Sequence, residues 1–205
     1  MAGTGGAHLR FGGRNGFGVG PDVRPVFQDL RARLLAADIA LERYADARAV
    51  VAILIRDSVA PMVLVMERAK RDSDPWSGHW SFPGGRRNPG EPLLDAVRRE
   101  TEEEVGLSTT GQEILGCLEA RPPANRREML VVPFVFAWDR EDEPKLGPEV
   151  ASAEWIPLLE LPRTRTTMTI MVRERERAMP AFVRRPWAIW GFTYRLLEDL
   201  LKLAS

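Results

Sequence analysis

Gly84-Gly-Arg-Arg-Asn-Pro-Gly-Glu91-Pro-Leu-Leu-Asp-Ala-Val-Arg-Arg99-Glu100-Thr-Glu-Glu103-Glu104-Val-Gly106-Leu107 is the stretch on which the fold turns. The spacing predicts a helix over residues 93–105. At about 100° per residue, Glu100, Glu103 and Glu104 fall in one sector beside an apolar stripe of Leu94, Val97, Thr101 and Val105. The stripe can bury, which leaves three carboxylates at the edge of the core. Like charges at i, i+3 and i+4 destabilise an isolated helix by a few tenths of a kcal/mol each, so the arrangement calls for a counter-ion. Hard divalent cations, Mg²⁺ or Mn²⁺, take oxygen ligands and keep water and substrate phosphate in their shells. Arg98 and Arg99 compensate in part. A charged helix face bathed in solvent is the other reading of the acidic run.

The spacing of the whole segment decides between the two. It fits G-x5-E-x7-R-E-U-x-E-E-x-G-U, where U is apolar, with Gly85, Glu91, Arg99, Glu100, Glu103, Glu104, Gly106 and Leu107 in place. Thr101 takes the first U position, which its methyl group can fill. The segment therefore resembles the Nudix box. The resemblance implies a Nudix-type α/β/α sandwich with a mixed β-sheet, an α/β fold, carrying a loop–helix–loop. It also implies metal ligation by Glu100, Glu103 and Glu104, and pairing of Glu91 with Arg99. Gly84-Gly85 allows a sharp backbone turn that exposes the Gly85 carbonyl as a further hard ligand, and Gly106 suits a left-handed helix end. The implied chemistry is attack of water on a diphosphate linkage, with Glu100, Glu103 and Arg99 catalytic and a carboxylate taking the proton. Among the later acids Glu143, Glu149 and Glu154, the expected base is Glu149, just ahead of a strand near Trp155.

Upstream, Leu64-Val-Met-Glu-Arg68-Ala69 and Gly78-His-Trp-Ser-Phe82-Pro83-Gly84-Gly85 are similar to an extra motif of coenzyme A pyrophosphatases, L-L-T-x-R-[SA]-x3-R-x3-G-x3-F-P-G-G. Ile189-Trp190-Gly191-Phe192-Thr193 is similar to the tail of that subfamily. The resemblance implies Arg68, Phe82 and Gly84 as substrate-binding residues. Eight residues stand between Ala69 and Gly78 where the motif has seven, and its second arginine is replaced by Ser73 or Asp74. Such an arginine could bind the 3′-phosphate of coenzyme A. Arg68, Lys70 or Arg71 are the available substitutes. ADP-ribose, dinucleotides and nucleoside triphosphates stay open as substrates, as does a non-catalytic Nudix-fold module that senses a nucleotide.

The rest of the chain bounds these readings. Its 205 residues suit one domain with extensions: a flexible Gly-rich tail over 1–20, an N-terminal helix packed on the domain within 21–44, and a Nudix domain over 45–205. At 44% hydrophobic and 28% charged the composition is that of a globular protein. Twenty-nine basic residues balance 29 acidic ones, so no overall field steers nucleic acid or anionic membrane to it. The longest apolar runs fall short of the roughly 20 residues a membrane helix needs, and a cytoplasmic location is expected. One cysteine and two histidines build neither an internal disulfide nor a zinc site. The expected cofactor is Mg²⁺ or Mn²⁺ and the expected partner a small nucleotide, with a homodimer left open.

For the remaining elements, Val26, Leu30, Leu34 and Leu35 predict one helix over about residues 22–38. A hairpin is expected from Ala49 to Met66, and a long loop from Lys70 to Pro92. Strands are expected near Glu113–Leu118, Met129–Trp138 and Ala153–Pro157, then a polar hairpin over Thr164–Arg185 and a last helix with an apolar Leu196, Leu197, Leu200, Leu201 stripe. Arg173 to Arg177 reads as a solvated strand face, and Trp76, Trp80, Trp155, Trp187 and Trp190 as core or pocket-wall residues.

Overall fold

The computed structural model describes residues 25–56, 60–70, 78–172 and 175–204. The expected Gly-rich tail lies outside these residues, as do Trp76, Arg71 and Ser73-Asp74.

The expected helix over 22–38 is two helices, α1 (Pro25–Arg33) and α2 (Ala37–Arg43). Between them Leu35 is pulled out of the helix by a pair of backbone hydrogen bonds with Cys117, at 3.0 and 2.8 Å. An edge strand offers unpaired backbone groups, and satisfying them outweighs one more turn of helix; apolar spacing carries no trace of this. Phe27 and Leu30 still bury fully on the domain.

The apolar runs become β1 (Ala49–Arg56) and β2 (Met62–Arg68). The expected loop over 70–92 contains two short strands, β3 (Trp80–Ser81) and β4 (Gly84–Arg86). Both form because longer strands offer them partners, a tertiary effect invisible to local propensity. Next come α3 (Leu93–Val105), β5 (Glu113–Cys117), β6 (Val131–Trp138), β7 (Val150–Pro157) and a 3-10 turn (Leu158–Thr164). A three-stranded antiparallel sheet of β8 (Arg165–Val172), β9 (Arg175–Arg184) and β10 (Trp187–Trp190) leads to α4 (Gly191–Leu203).

The main sheet is mixed. β1 and β6 run parallel over eight residue pairs, and every other pairing in that sheet is antiparallel. β1 is shared along its length: Ala49–Val51 pair with β4, and Ile55 and Arg56 pair with β2. β2 pairs with β7 on its other side from Met62 to Arg68, and beyond the short contact with β1 it turns away to pair with β3 at Met66 and Glu67. The sheet forks where β1 and β2 part.

Alternation assigns the faces. Ile53, Ile55, Val63, Val65, Val135 and Ala137 point into a core closed by α1, α4 and the 3-10 turn. Val50, Ala52, Leu54, Leu64, Met66, Phe134 and Phe136 point into a second core closed by α2 and α3. The layers are α/β/α, as the Nudix resemblance implies. Cys117 is buried, and burial pushes its thiol up to about 12, so it stays protonated and inert.

Candidate active site

α3 presents its functional side chains on more than one face. Leu93, Ala96, Val97, Thr101, Glu104 and Val105 are all buried. The stripe is therefore shifted from the expected Leu94, Val97, Thr101, Val105 line, and it includes an acid. Thr101 tolerates burial because its Oγ1 donates to the Val97 carbonyl at 2.6 Å. The helix ends at Gly106 in the left-handed conformation, φ 64°. Its last carbonyls do not face solvent: Lys145 N–H donates to Val105 O and Gly147 N–H to Glu104 O, each at 2.8 Å. That capping segment was not read from the sequence, although Gly147-Pro148 marks it as a turn.

Glu104 lies at the fork of the sheet. Its Oε2 accepts the Gly84 N–H at 2.7 Å, and its Oε1 is 3.6 Å from Arg68 Nη1. Burial pushes this carboxyl up to about 7; the Gly84 N–H and Arg68 pull it down, and Glu100 and Glu149 push it up. Glu100, one turn earlier, is also raised, chiefly by burial, against the opposing hydrogen bond from Arg99. Two glycines make room for this approach. A Cβ on Gly84, at φ 149°, would stand 2.3 Å from the Val50 carbonyl oxygen, and a Cβ on Gly85 would stand 2.4 Å from Glu100 Oε2.

Arg99 ties the loop to the helix. Its Nε and Nη2 donate to the two oxygens of Glu91 at 2.8 and 3.0 Å, a bidentate fork. Nη1 donates to Glu100 at 2.8 Å and Glu103 at 3.2 Å, and Nη2 also reaches the Arg86 carbonyl at 3.1 Å. The hydrogen bonds from Arg99, and then that from the Asn88 N–H, hold Glu91 below the usual carboxylate range.

The expected residues separate into groups. Glu100, Glu104, Arg68, Gly84 and Gly85 come together. Glu103 does not join them: its side chain is 59% exposed and faces Arg99. Glu149 stands at the rim, half exposed, its carboxylate 4.0 Å from Arg68 and its carbonyl accepting the Ala69 N–H. Glu143 is drawn away to Arg56. Phe82, expected at the substrate, is buried in the core, so its ring offers no accessible face to a ligand. His79 packs edge-on against Trp190 with ring centroids 4.5 Å apart, and its carbonyl accepts the Arg68 N–H. The second sheet thus reaches the strand beside Arg68, a proximity that 121 intervening positions hide in the sequence.

Among the described residues no three His, Cys, Asp or Glu side chains form a preset metal cage, since the arginines hold the carboxylates in part. The donor set nonetheless suits a hard cation. It offers carboxylate oxygens, one of them buried and destabilised in its charged form, around a cradle that a single Cβ would fill. No helix among the described residues is long and apolar enough to cross a membrane.

Comparison with known proteins bears on this arrangement. The family model for the NUDIX domain matches residues 46–175, which contain β1 to β7, α3 and every carboxylate considered above. The chain is 30% identical over 194 residues to human mitochondrial coenzyme A diphosphatase NUDT8, covering 90% of this chain and 81% of that protein. It is 33% identical over 135 residues to an uncharacterised Schizosaccharomyces pombe protein, covering 60% of this chain but only 41% of the relative. Among solved structures, DR0079 from Deinococcus radiodurans superposes with a TM-score of 0.52 at 18% identity, over 75% of this chain and 82% of that one, a likeness of fold. The matched segment and the loop–helix–loop inside it make this chain a member of the Nudix family, a hydrolase with pyrophosphatase activity.

Proposed function

We propose that the enzyme hydrolyses the diphosphate bridge of coenzyme A or an acyl derivative, giving 3′,5′-ADP and a 4′-phosphopantetheine product. The observation that carries this reading is Arg68, which stands within 4.0 Å of both Glu104 and Glu149 and falls in the segment similar to the coenzyme A pyrophosphatase motif. A phosphate brought to those carboxylates lies beside its guanidinium, which suits a phosphate oxygen. Likeness to a relative named as a coenzyme A diphosphatase over most of both chains points the same way. ADP-ribose, dinucleotides and nucleoside triphosphates are the competing substrates.

Glu100 and Glu104, with the Gly85 carbonyl, are the groups that would hold Mg²⁺ or Mn²⁺, with Glu103 the exposed member of the set. When bound, such an ion neutralises phosphate oxygens and makes a coordinated water more acidic. Arg99 fixes Glu100 from the loop side, and the Gly84 N–H orients Glu104. Glu149, at the rim, accepts the proton of the attacking water. The water oxygen bonds to one phosphorus, the bridging P–O bond breaks, and the other phosphate leaves with the bridging oxygen. Strict geometry matters because positioning and charge stabilisation supply most of the rate in phosphoryl transfer.

The deciding experiment compares kcat/KM for coenzyme A, dephospho-coenzyme A and ADP-ribose with Mg²⁺. Lacking the second arginine of the motif, the enzyme should cleave coenzyme A with only modest preference over the other two, within about 1–3 kcal/mol. Efficient cleavage of ADP-ribose or a nucleoside triphosphate with no cleavage of coenzyme A would overturn the substrate assignment. Loss of all turnover across the panel would favour the sensing module.

A further inference from the structure

Behind the Gly84–Gly90 loop lies a groove of about 490 Å³, lined by Arg48, Arg86, Arg87, Asn88, Glu128 and Met129 among others. Three arginines and one glutamate line it, in a chain whose charges cancel overall. Among the described residues, the side chains of Arg48 and Arg86 form no hydrogen bond or ion pair, and neither does that of Glu128.

The backbone around these side chains is fixed. Arg87 N–H donates to Arg48 O at 3.0 Å, Arg48 N–H donates to Leu130 O at 3.3 Å, and Arg87 Nη1 reaches Ala45 O at 2.9 Å. β4 is paired with β1 through Arg86 and Ala49, and the Arg86 carbonyl is held by Arg99. Two unpaired guanidiniums therefore project from a rigid frame. Both residues line one groove, so an anion that bridges the two charges gains from both. A phosphate group matches a guanidinium fork in geometry as well as in charge.

The groove is not part of the site at the fork. Its lining residues include none of Arg68, Gly84, Gly85, Glu100 and Glu104.

We propose that this groove is a phosphate-binding site, separate from the diphosphate-cleaving carboxylates, in which Arg48 and Arg86 grip a phosphate group with Arg87 beside them. Two sources present that chemistry: a phosphate on a part of the substrate remote from the cleaved bridge, and a separate phosphate compound bound alongside the substrate.

The test uses the full chain in EDTA, so that no metal-borne phosphate contributes, and titrates inorganic phosphate by calorimetry. The wild type should bind it saturably. Arg48→Ala with Arg86→Ala should weaken binding at least about tenfold, and Glu128→Gln should tighten it. All these substitutions fall on the surface, and thermal unfolding checks each variant. The source is then read from kcat/KM for coenzyme A over dephospho-coenzyme A, a pair that differs by one phosphate. If the double variant brings that ratio to unity, the groove takes the substrate's own phosphate. If the ratio holds while phosphate binding is lost, the groove takes a separate compound. The proposal is overturned if the wild type shows no saturable phosphate binding, or if the double variant binds phosphate as the wild type does.

Discussion

Gly85→Ala separates positioning from stability. Gly85 does not occupy the left-handed region, so alanine fits its backbone, and the change trims the freedom of the unfolded chain by up to about 1 kcal/mol. The three atoms nearest the added methyl form the far end of one flexible side chain: it would stand 2.4, 2.5 and 2.6 Å from Oε2, Cδ and Oε1 of Glu100. Ordinary contact begins near 3.4 Å, so the carboxylate must retreat by about 1 Å. A retreat of that size by a group that positions the reacting atoms costs on the order of 100-fold in rate, or about 2.7 kcal/mol in the barrier. The expected result is kcat down about 100-fold with Mg²⁺ while the thermal midpoint stays within a few degrees of the wild type. Steady-state kinetics with a thermal scan on the same preparation checks both halves. Turnover within about threefold of the wild type would refute the reasoning, because it would mean that Glu100 takes no part in the chemistry.

Three further outcomes are expected. Glu104→Gln should lower kcat by orders of magnitude with the fold retained. It should also flatten a pH dependence. The folded carboxyl titrates at about 7 against 4.5 in a free chain, so the folded state binds the proton more tightly, and the stability of the metal-free wild type falls as pH rises from about 4.5 to 7. Midpoints measured across that window in EDTA, for wild type and variant, decide it; a wild-type midpoint that rises over the same range contradicts the assignment. Arg99→Lys keeps the charge but loses the fork that spans Glu91, Glu100 and the Arg86 carbonyl. It should cost about 1.5–3 kcal/mol of stability and lower kcat more than it raises KM, and an unchanged midpoint would remove Arg99 from its bracing role. Mg²⁺ at a hundred times its dissociation constant should stabilise the protein by about 2.7 kcal/mol, a rise of about 5–10 °C. Full activity in excess EDTA would exclude the metal.

What the sequence told and what it hid follow from how far each signal reaches along the chain. α3 was legible to the residue, since the helical period, the glycine that ends it and the Glu91–Arg99 spacing all lie within 23 positions. The β1–β2 hairpin and the long apolar strands were legible by composition and alternation. The break at Leu35 was not, because its cause is a backbone pair 82 residues away at Cys117. β3 and β4 are too short to carry a pattern and exist through their partners. Within the site, helical geometry placed Glu100, Glu103 and Glu104 in one sector but could not tell which acid turns inward. Glu104 does so because the fork offers it Gly84 N–H and Arg68, while Glu103 finds only Arg99 and water. Phe82 shows the converse: a motif position can mark a fold requirement as readily as a ligand contact.

The fork in the main sheet gives Glu104 a mechanical office besides its chemical one. Arg68 ends one tine, β2, and Gly84 begins the other, β4; no strand pairing joins them at that depth. The Glu104 carboxylate touches both, so it acts as a clasp across an opening that the backbone leaves unsewn. A cation held by that carboxylate competes with Arg68 for its charge and so slackens the clasp on the side of β2. Loading of the site is then linked to the width of the crevice itself. The amide of Gly84, one of the two groups fastened by the clasp, reports that width without any reference to turnover.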